Sequence, residues 1–195
     1  PSFTNISRRD IMALYTYLMA QPAYPNQNRP HELGWFLSNR ALIAYWKSGR
    51  FAPRVLQFDP NESRKWNRGQ YLAMALGHCS ECHTPRGILG GPLMDQYLAG
   101  TRVGPGGIRT PNITSDKETG IGDWTHEDLE TFLSTGRKPD GSYPTGLMME
   151  VLGTSSMRLT EYDQHALTLY LRSLPPIHNN LDATVDPFQG SDFYE

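Results

Sequence analysis

Cys79-Ser80-Glu81-Cys82-His83 contains the only two cysteines of the 195-residue chain, and C-x-x-C-H is the spacing of covalent haem attachment. In such a motif the two thiols add across the haem vinyl groups as thioethers, and the adjacent histidine presents its imidazole to the iron. The residues therefore predict Cys79 and Cys82 as attachment points and His83 as proximal ligand of one haem c. Two other uses of a C-x-x-C pair compete with this reading. A closed zinc site needs four ligands, with a second Cys/His pair at short spacing. Here His31, His126, His165 and His178 are scattered singly, as surface histidines are, and His78 merely extends the same run. A redox dithiol of the thioredoxin kind follows a strand, whereas Gly69-Gln70-Tyr71-Leu72-Ala73-Met74-Ala75-Leu76 has a helical pattern.

Haem iron takes either a sixth protein ligand or an open site, and that choice separates an electron carrier from a catalyst. Core packing within helical patterns is the expected role of Met12, Met19 and Met74, and Met94 lies too near His83 to reach round the ring. Met148, Met149 and Met157 are far enough downstream to return on the distal face. The stretch Pro144-Thr145-Gly146-Leu147-Met148-Met149-Glu150-Val151 begins as a loop and turns apolar. Met148 is the candidate ligand, with gap filling by the Met148-Met149 pair as the competing explanation.

The net charge of -2 is spread along the chain without a Lys/Arg stripe, which argues against a nucleic-acid partner. No segment has the length and apolarity of a membrane span. Haem is attached to such motifs outside the bacterial cytoplasm, so the expected location is the periplasm, with a leader removed ahead of Pro1. No cysteine is left for a disulfide, and the sequons at Asn5, Asn61 and Asn112 read as chance in a bacterial protein.

The fold class read from periodicity is mainly α. Thr125-His126-Glu127-Asp128 is a capping-box start followed by Leu129, Phe132 and Leu133 at helical spacing, with Gly136 placed to end the helix in a left-handed conformation. Thr160-Glu161-Tyr162-Asp163 opens another helix that carries Ala166, Leu167, Tyr170, Leu171 and Leu174 on one face and stops at Pro175-Pro176. From Gly87 to Gly122 glycines and prolines abound with no sustained period, which suits a loop folded over a flat cofactor. One internal repeat stands out. Ile6-Ser7-Arg8-Arg9-Asp10 through Ala13-Leu14 and Tyr17-Leu18 to Pro22 parallels Leu159-Thr160-Glu161-Tyr162-Asp163 through Ala166-Leu167 and Tyr170-Leu171 to Pro175. The first copy thus reads as the closing helix of an upstream domain, whose haem motif belongs to a longer multi-haem subunit, or as a helix that now serves as a stand-alone cap.

Arg68-Gly69-Gln70-Tyr71-Leu72, Leu76-Gly77-His78 with the haem motif and Thr84-Pro85-Arg86-Gly87, Pro111-Asn112-Ile113-Thr114-Ser115-Asp116, Thr119-Gly120-Ile121-Gly122-Asp123-Trp124 and Tyr170-Leu171-Arg172-Ser173-Leu174-Pro175-Pro176 together carry a resemblance. Over most of residues 1 to 180 the chain resembles the cytochrome c subunit of membrane-bound bacterial alcohol and sugar dehydrogenases, a multi-haem family. The resemblance implies a class I-like cytochrome c domain, with helices wrapped around one covalent haem and long Gly/Pro-rich loops. Subunits of that family carry three haem domains, and this chain is similar to the middle one. Residues 1–22 then close the preceding domain, 23–65 form a linker that includes Trp35-Phe36-Leu37 and Trp46, 66–176 bind haem, and 177–195 begin a tail or the next linker. The family pattern Gly-x-Met-x-Glu-Val falls on Gly146, Met148, Glu150 and Val151, which implies Met148 as distal ligand. By the same analogy Gly69 allows close approach to the C-terminal helix, while Tyr71 and Leu72 pack against Leu167, Tyr170 and Leu171.

The expected function is electron transfer through one haem c ligated by His83 and Met148. Electrons come from the catalytic subunit of a partner dehydrogenase, quinoprotein or flavoprotein, and pass toward the respiratory chain through other haem domains or quinone. Catalysis belongs to the partner, and any membrane association comes through the complex. The single haem motif departs from the family's three, so quinone chemistry requires haems or subunits beyond this stretch. A free-standing monohaem shuttle and an open-site haem enzyme such as a peroxidase are the alternatives; no acid/base constellation near the motif favours the second. The carbonyl of Pro85 or of Pro92 is expected to accept the His83 ring N–H. Arg86 and Arg109 are candidates either for haem propionates or for a solvated surface.

Overall fold

A computed structural model describes residues 2–34 and 38–182. The regular structure among them is helical: α1 Arg8–Met19, α2 Arg40–Arg50, α3 Arg64–Tyr71, α4 Ser80–His83, α5 His126–Thr135, α6 Leu147–Thr154 and α7 Glu161–Ser173. The described residues contain no strand, only two isolated bridges, Arg86 with Pro92 and Thr101 with Thr110. The predicted mainly helical class is what the chain adopts. Trp35 and Phe36 lie outside the described residues, as does the tail beyond residue 182.

The ends of these helices follow from local chemistry. Thr125 and Asp128 form the reciprocal capping box at the start of α5, and Gly136 closes that helix at φ 79°. Ser63 and Thr160 cap α3 and α7 by accepting from Trp66 N–H and Asp163 N–H.

α3 and α7 cross in the centre of the molecule, and Gly69 sets their separation. A Cβ built on Gly69 would lie 1.9 Å from the Ala166 carbonyl oxygen, so only glycine permits this backbone-to-backbone contact. Leu72 and Ala73 join Ala166, Leu167, Tyr170 and Leu171 in one core, completed by Leu129 and Leu133 of α5 and by Leu98 and Ile121 from the loops. Arg68 of α3 clamps Asp163 of α7 through two parallel hydrogen bonds of 2.8 Å. Leu72 therefore packs as the family analogy implies, but Tyr71 does not. Its hydroxyl donates to Asp10 at 2.5 Å and accepts from Ser7 N–H at 3.0 Å, which ties it to the N-terminal segment.

That segment forms a clasp on the helix leading to the cysteines. Ser2 donates to Glu81 through its hydroxyl, Asn5 donates to the Met74 carbonyl, and the Phe3 ring meets His78 edge-on at 5.4 Å. Ile6 is buried there, whereas no residue of α1 is buried. Met12 and Met19 accordingly stand exposed rather than filling a core. The helical period places them on the inner face, but no neighbour among the described residues covers it.

Candidate haem-attachment site

Beyond Tyr71 the helix widens into a π-helical turn, Leu72–Leu76, closed by Gly77 N–H on the Leu72 carbonyl at 2.6 Å. His78 then takes φ 38°, a left-handed turn rare outside glycine, and Cys79 N–H reaches back to the Ala73 carbonyl at 2.9 Å. The short helix α4 follows, with His83 N–H on the Cys79 carbonyl at 2.9 Å. Both cysteines and His83 thus sit on one turn and its cap, fixed to the core through Leu72 and Ala73.

Neither cysteine is in a disulfide. Loss of solvent around the sulfur pushes the Cys79 thiol up to about 11, and burial followed by the Glu81 carboxylate raises that of Cys82. At neutral pH both are held as thiols, the opposite of the electropositive setting that makes a reactive dithiol. Among the described residues no group of three or more His, Cys, Asp or Glu is disposed to hold a metal. His31, His126, His165 and His178 are all exposed.

His83 is buried, at 8% exposure, and its Nδ1 lies 2.8 Å from the Pro111 carbonyl oxygen. Burial lowers its pKa and the Pro111 bond opposes that shift, so the ring is held in its neutral, ligating form. A proton on Nδ1 donating to Pro111 leaves Nε2 with its lone pair. The expected acceptors, Pro85 and Pro92, are not the ones used. The Pro85 carbonyl is taken by Leu93 N–H at 2.9 Å, and Pro92 belongs to the bridge with Arg86. Pro111 arrives through the Gly/Pro-rich loop, where Thr110 Oγ1 donates to the Cys82 carbonyl at 2.6 Å and Gly100 N–H donates to the His83 carbonyl at 2.7 Å.

Met148 is half-buried at the second position of α6. The other two candidates lie together near Gly136, where a Cβ would meet the terminal methyls of Met149 at 3.4 Å and Met157 at 3.2 Å. Arg86 pairs with Glu81 and with the Gly90 carbonyl, and Arg109 pairs with Asp182 at 2.5 Å. Trp46 of α2 donates to the Leu89 carbonyl at 2.8 Å, so this linker aromatic rests on the loop after the motif. A cavity of about 840 Å³ opens beside it, and none of Cys79, Cys82, His83 or Met148 lines that cavity. The donor set fits haem c: two unbridged thiols at C-x-x-C spacing, and a neutral imidazole oriented through Nδ1 with Nε2 left for iron.

Known proteins share this chain over most of its length. It is 36% identical over 176 residues to the fructose dehydrogenase cytochrome subunit of Gluconobacter japonicus, taking in 89% of this chain and 36% of that protein. It is 37% identical over 183 residues to the gluconate 2-dehydrogenase cytochrome c subunit of Pantoea cypripedii, with 89% and 41% covered. A diheme cytochrome c-type protein of Cereibacter sphaeroides is 33% identical over 179 residues, with 90% and 57% covered. No family model matches the chain. By motif, helical fold and homology the class is that of c-type cytochromes, which carry covalently bound haem c. More particularly, over 89–90% of its own length the chain is similar to cytochrome c proteins that include subunits of bacterial dehydrogenases, and it spans between 36% and 57% of the length of these three relatives.

Proposed function

We propose that residues 66–176 are a class I-like cytochrome c domain wrapped around one covalent haem and serving electron transfer in the bacterial periplasm. Cys79 and Cys82 supply the thioethers, His83 the proximal nitrogen and Met148 the distal sulfur. The observation that carries this reading is the His83 Nδ1 contact to the Pro111 carbonyl, which fixes the ring on one side and frees the other nitrogen. When bound, the haem supplies a one-electron iron couple whose potential a Met/His ligand pair raises. The protein's own part is to hold the imidazole neutral, keep it from rotating, and occupy the remaining iron position with Met148.

The relatives named for fructose, gluconate and quinone-linked alcohol dehydrogenases favour a dehydrogenase catalytic subunit as electron donor, with other haem domains or quinone downstream. No described helix is long and apolar enough to cross a membrane; in this reading any membrane association comes through the complex. Residues 1–22 close an upstream haem domain, 23–65 link it to this one, and 177–195 lead onward. The apolar side of α1, uncovered among the described residues, in a helix patterned like the buried α7, supports that division.

Replacing Met148 by Ala tests the ligand assignment. The expected result is a lower reduction potential and newly rapid binding of carbon monoxide by the reduced protein. An unchanged potential with no gain in ligand binding would remove Met148 from the iron.

A further inference from the structure

The Pro111 carbonyl that faces His83 Nδ1 lies in a loop threaded by the hydrogen bonds of two asparagines and of the segment following α7. Asn112, 2% exposed, accepts from Thr114 N–H at 2.9 Å and from the Thr114 hydroxyl at 2.8 Å. Its amide donates to Thr119 Oγ1 at 2.9 Å and to the Ile177 carbonyl at 2.7 Å. All its hydrogen-bonding capacity is engaged, which locks the Pro111–Asn112 peptide between two loops. Asn179 works from the other side: its backbone N–H donates to Thr119 Oγ1 at 3.1 Å, and its amide donates to the carbonyls of Ala99 at 2.9 Å and Gly100 at 3.2 Å.

Gly100 joins the two halves of this network. It takes φ 82°, donates its N–H to the His83 carbonyl, and lies so close to Pro111–Asn112 that a Cβ would fall 2.6 Å from the Pro111 carbonyl carbon and 2.5 Å from Asn112 N. Ser115 Oγ on the Leu174 carbonyl and Arg102 on the Leu181 carbonyl fasten the ends of the same strap.

We propose that Asn112 and Asn179 are positioning residues for the proximal ligand, holding the Pro111 carbonyl on His83 Nδ1 through Gly100 and the strap at residues 174–182. A firmly held acceptor gives the imidazole more anionic character and makes it a stronger donor to ferric iron. Loosening the acceptor therefore raises the reduction potential. This rests on the reading that His83 ligates haem iron.

The experiment uses the full haem-loaded chain carrying Asn179→Ala, with Asn179→Leu as a volume-conserving second variant; both are neutral, so neither changes the charge near the iron. Two quantities are read: the reduction potential, and solvent exchange of the His83 ring N–H by proton NMR in the reduced state. The expected result is an upward shift in potential with ring N–H exchange faster by roughly tenfold, the size set by losing one or two hydrogen bonds. Wild-type potential and exchange in a variant that has lost only thermal stability would reduce Asn179 to a structural brace and overturn the proposal. Should the Asn179 variants fail to fold, Gly100→Ala supplies the same reading through direct pressure on the Pro111–Asn112 peptide. Failure of the wild-type chain itself to take up haem would instead refute the ligation reading.

Discussion

α1 and α7 are built on one sequence pattern and stand in opposite surroundings. Each opens on a hydroxyl residue that accepts from the N–H of an aspartate three positions on, Ser7 from Asp10 and Thr160 from Asp163, both at 3.2 Å. Each then carries Ala-Leu and Tyr-Leu at matching positions. In α7 Ala166, Leu167, Tyr170 and Leu171 are buried, Leu171 at 5% exposure; in α1 Ala13, Leu14, Tyr17 and Leu18 are all exposed, Leu18 at 65%. The difference is made by the partner. α7 meets α3, whose Gly69 lets the two backbones touch, while α1, among the described residues, is held through its first turn by Tyr71. An amphipathic pattern and a good cap specify a helix; they do not supply the second surface that gives its apolar face a value.

The sharpest test of that contrast is truncation of the matching leucines. Leu171→Ala removes buried atoms beside α3 and should cost about 2–5 kcal/mol in chemical denaturation, whereas Leu18→Ala should stay within about 0.5 kcal/mol. Equal losses would mean that α1 is covered after all. Next comes the crossing point: Gly69→Ala forces a methyl onto the Ala166 backbone and should cost roughly 1–3 kcal/mol by overpacking, measured as a lowered unfolding midpoint. A wild-type midpoint would contradict the observed closeness of α3 and α7.

A smaller effect belongs to the clamp between those helices. The Arg68 guanidinium holds the Asp163 carboxyl below its ordinary value of 3.8. A carboxylate depressed on folding adds stability that is complete above its unfolded value and fades as pH falls through its folded one. Arg68 is about a third exposed, which screens the pair. Asp163→Asn should therefore lose about 1 kcal/mol near neutrality, and the gap to wild type should close at pH below 3.8. A gap that widened on acidification would reverse the sign and refute the clamp. Smallest in global terms are the caps. Thr160→Ala should cost about 1 kcal/mol, while Ser7→Ala should leave the main transition in place and appear only as faster amide exchange within α1.

Much of the fold was legible because it depends on short-range chemistry. The capping box at Thr125 and the left-handed stop at Gly136 involve neighbouring residues, whereas the close approach at Gly69, which meets Ala166 from a distant part of the chain, was implied by the family resemblance and not by local pattern. Two features were not legible. The N-terminal clasp pairs Ser2, Asn5 and Ser7 with Glu81, Met74 and Tyr71 across more than sixty positions, and nothing local marks it. The acceptor for His83 lies 28 residues away, and Pro111 reaches it only because Thr110 and Gly100 hydrogen-bond the motif's backbone while Leu93 occupies Pro85. A carbonyl carries no sequence signature, since every residue has one; which carbonyl faces the ring is decided by loop closure. The crowding of Gly100, Pro111 and Asn112 in a loop without period was the available hint, and it becomes readable only once the loop is folded.

The central claim, a covalent haem on Cys79, Cys82 and His83, is tested most directly by the visible spectrum of the matured protein, oxidised and reduced, followed by denaturation in alkaline pyridine to count haem per chain. The account predicts one covalent, low-spin haem, with the weak band of iron–sulfur ligation at the red edge of the oxidised spectrum. A chain matured alongside haem-attachment machinery that carries no covalent haem would contradict it.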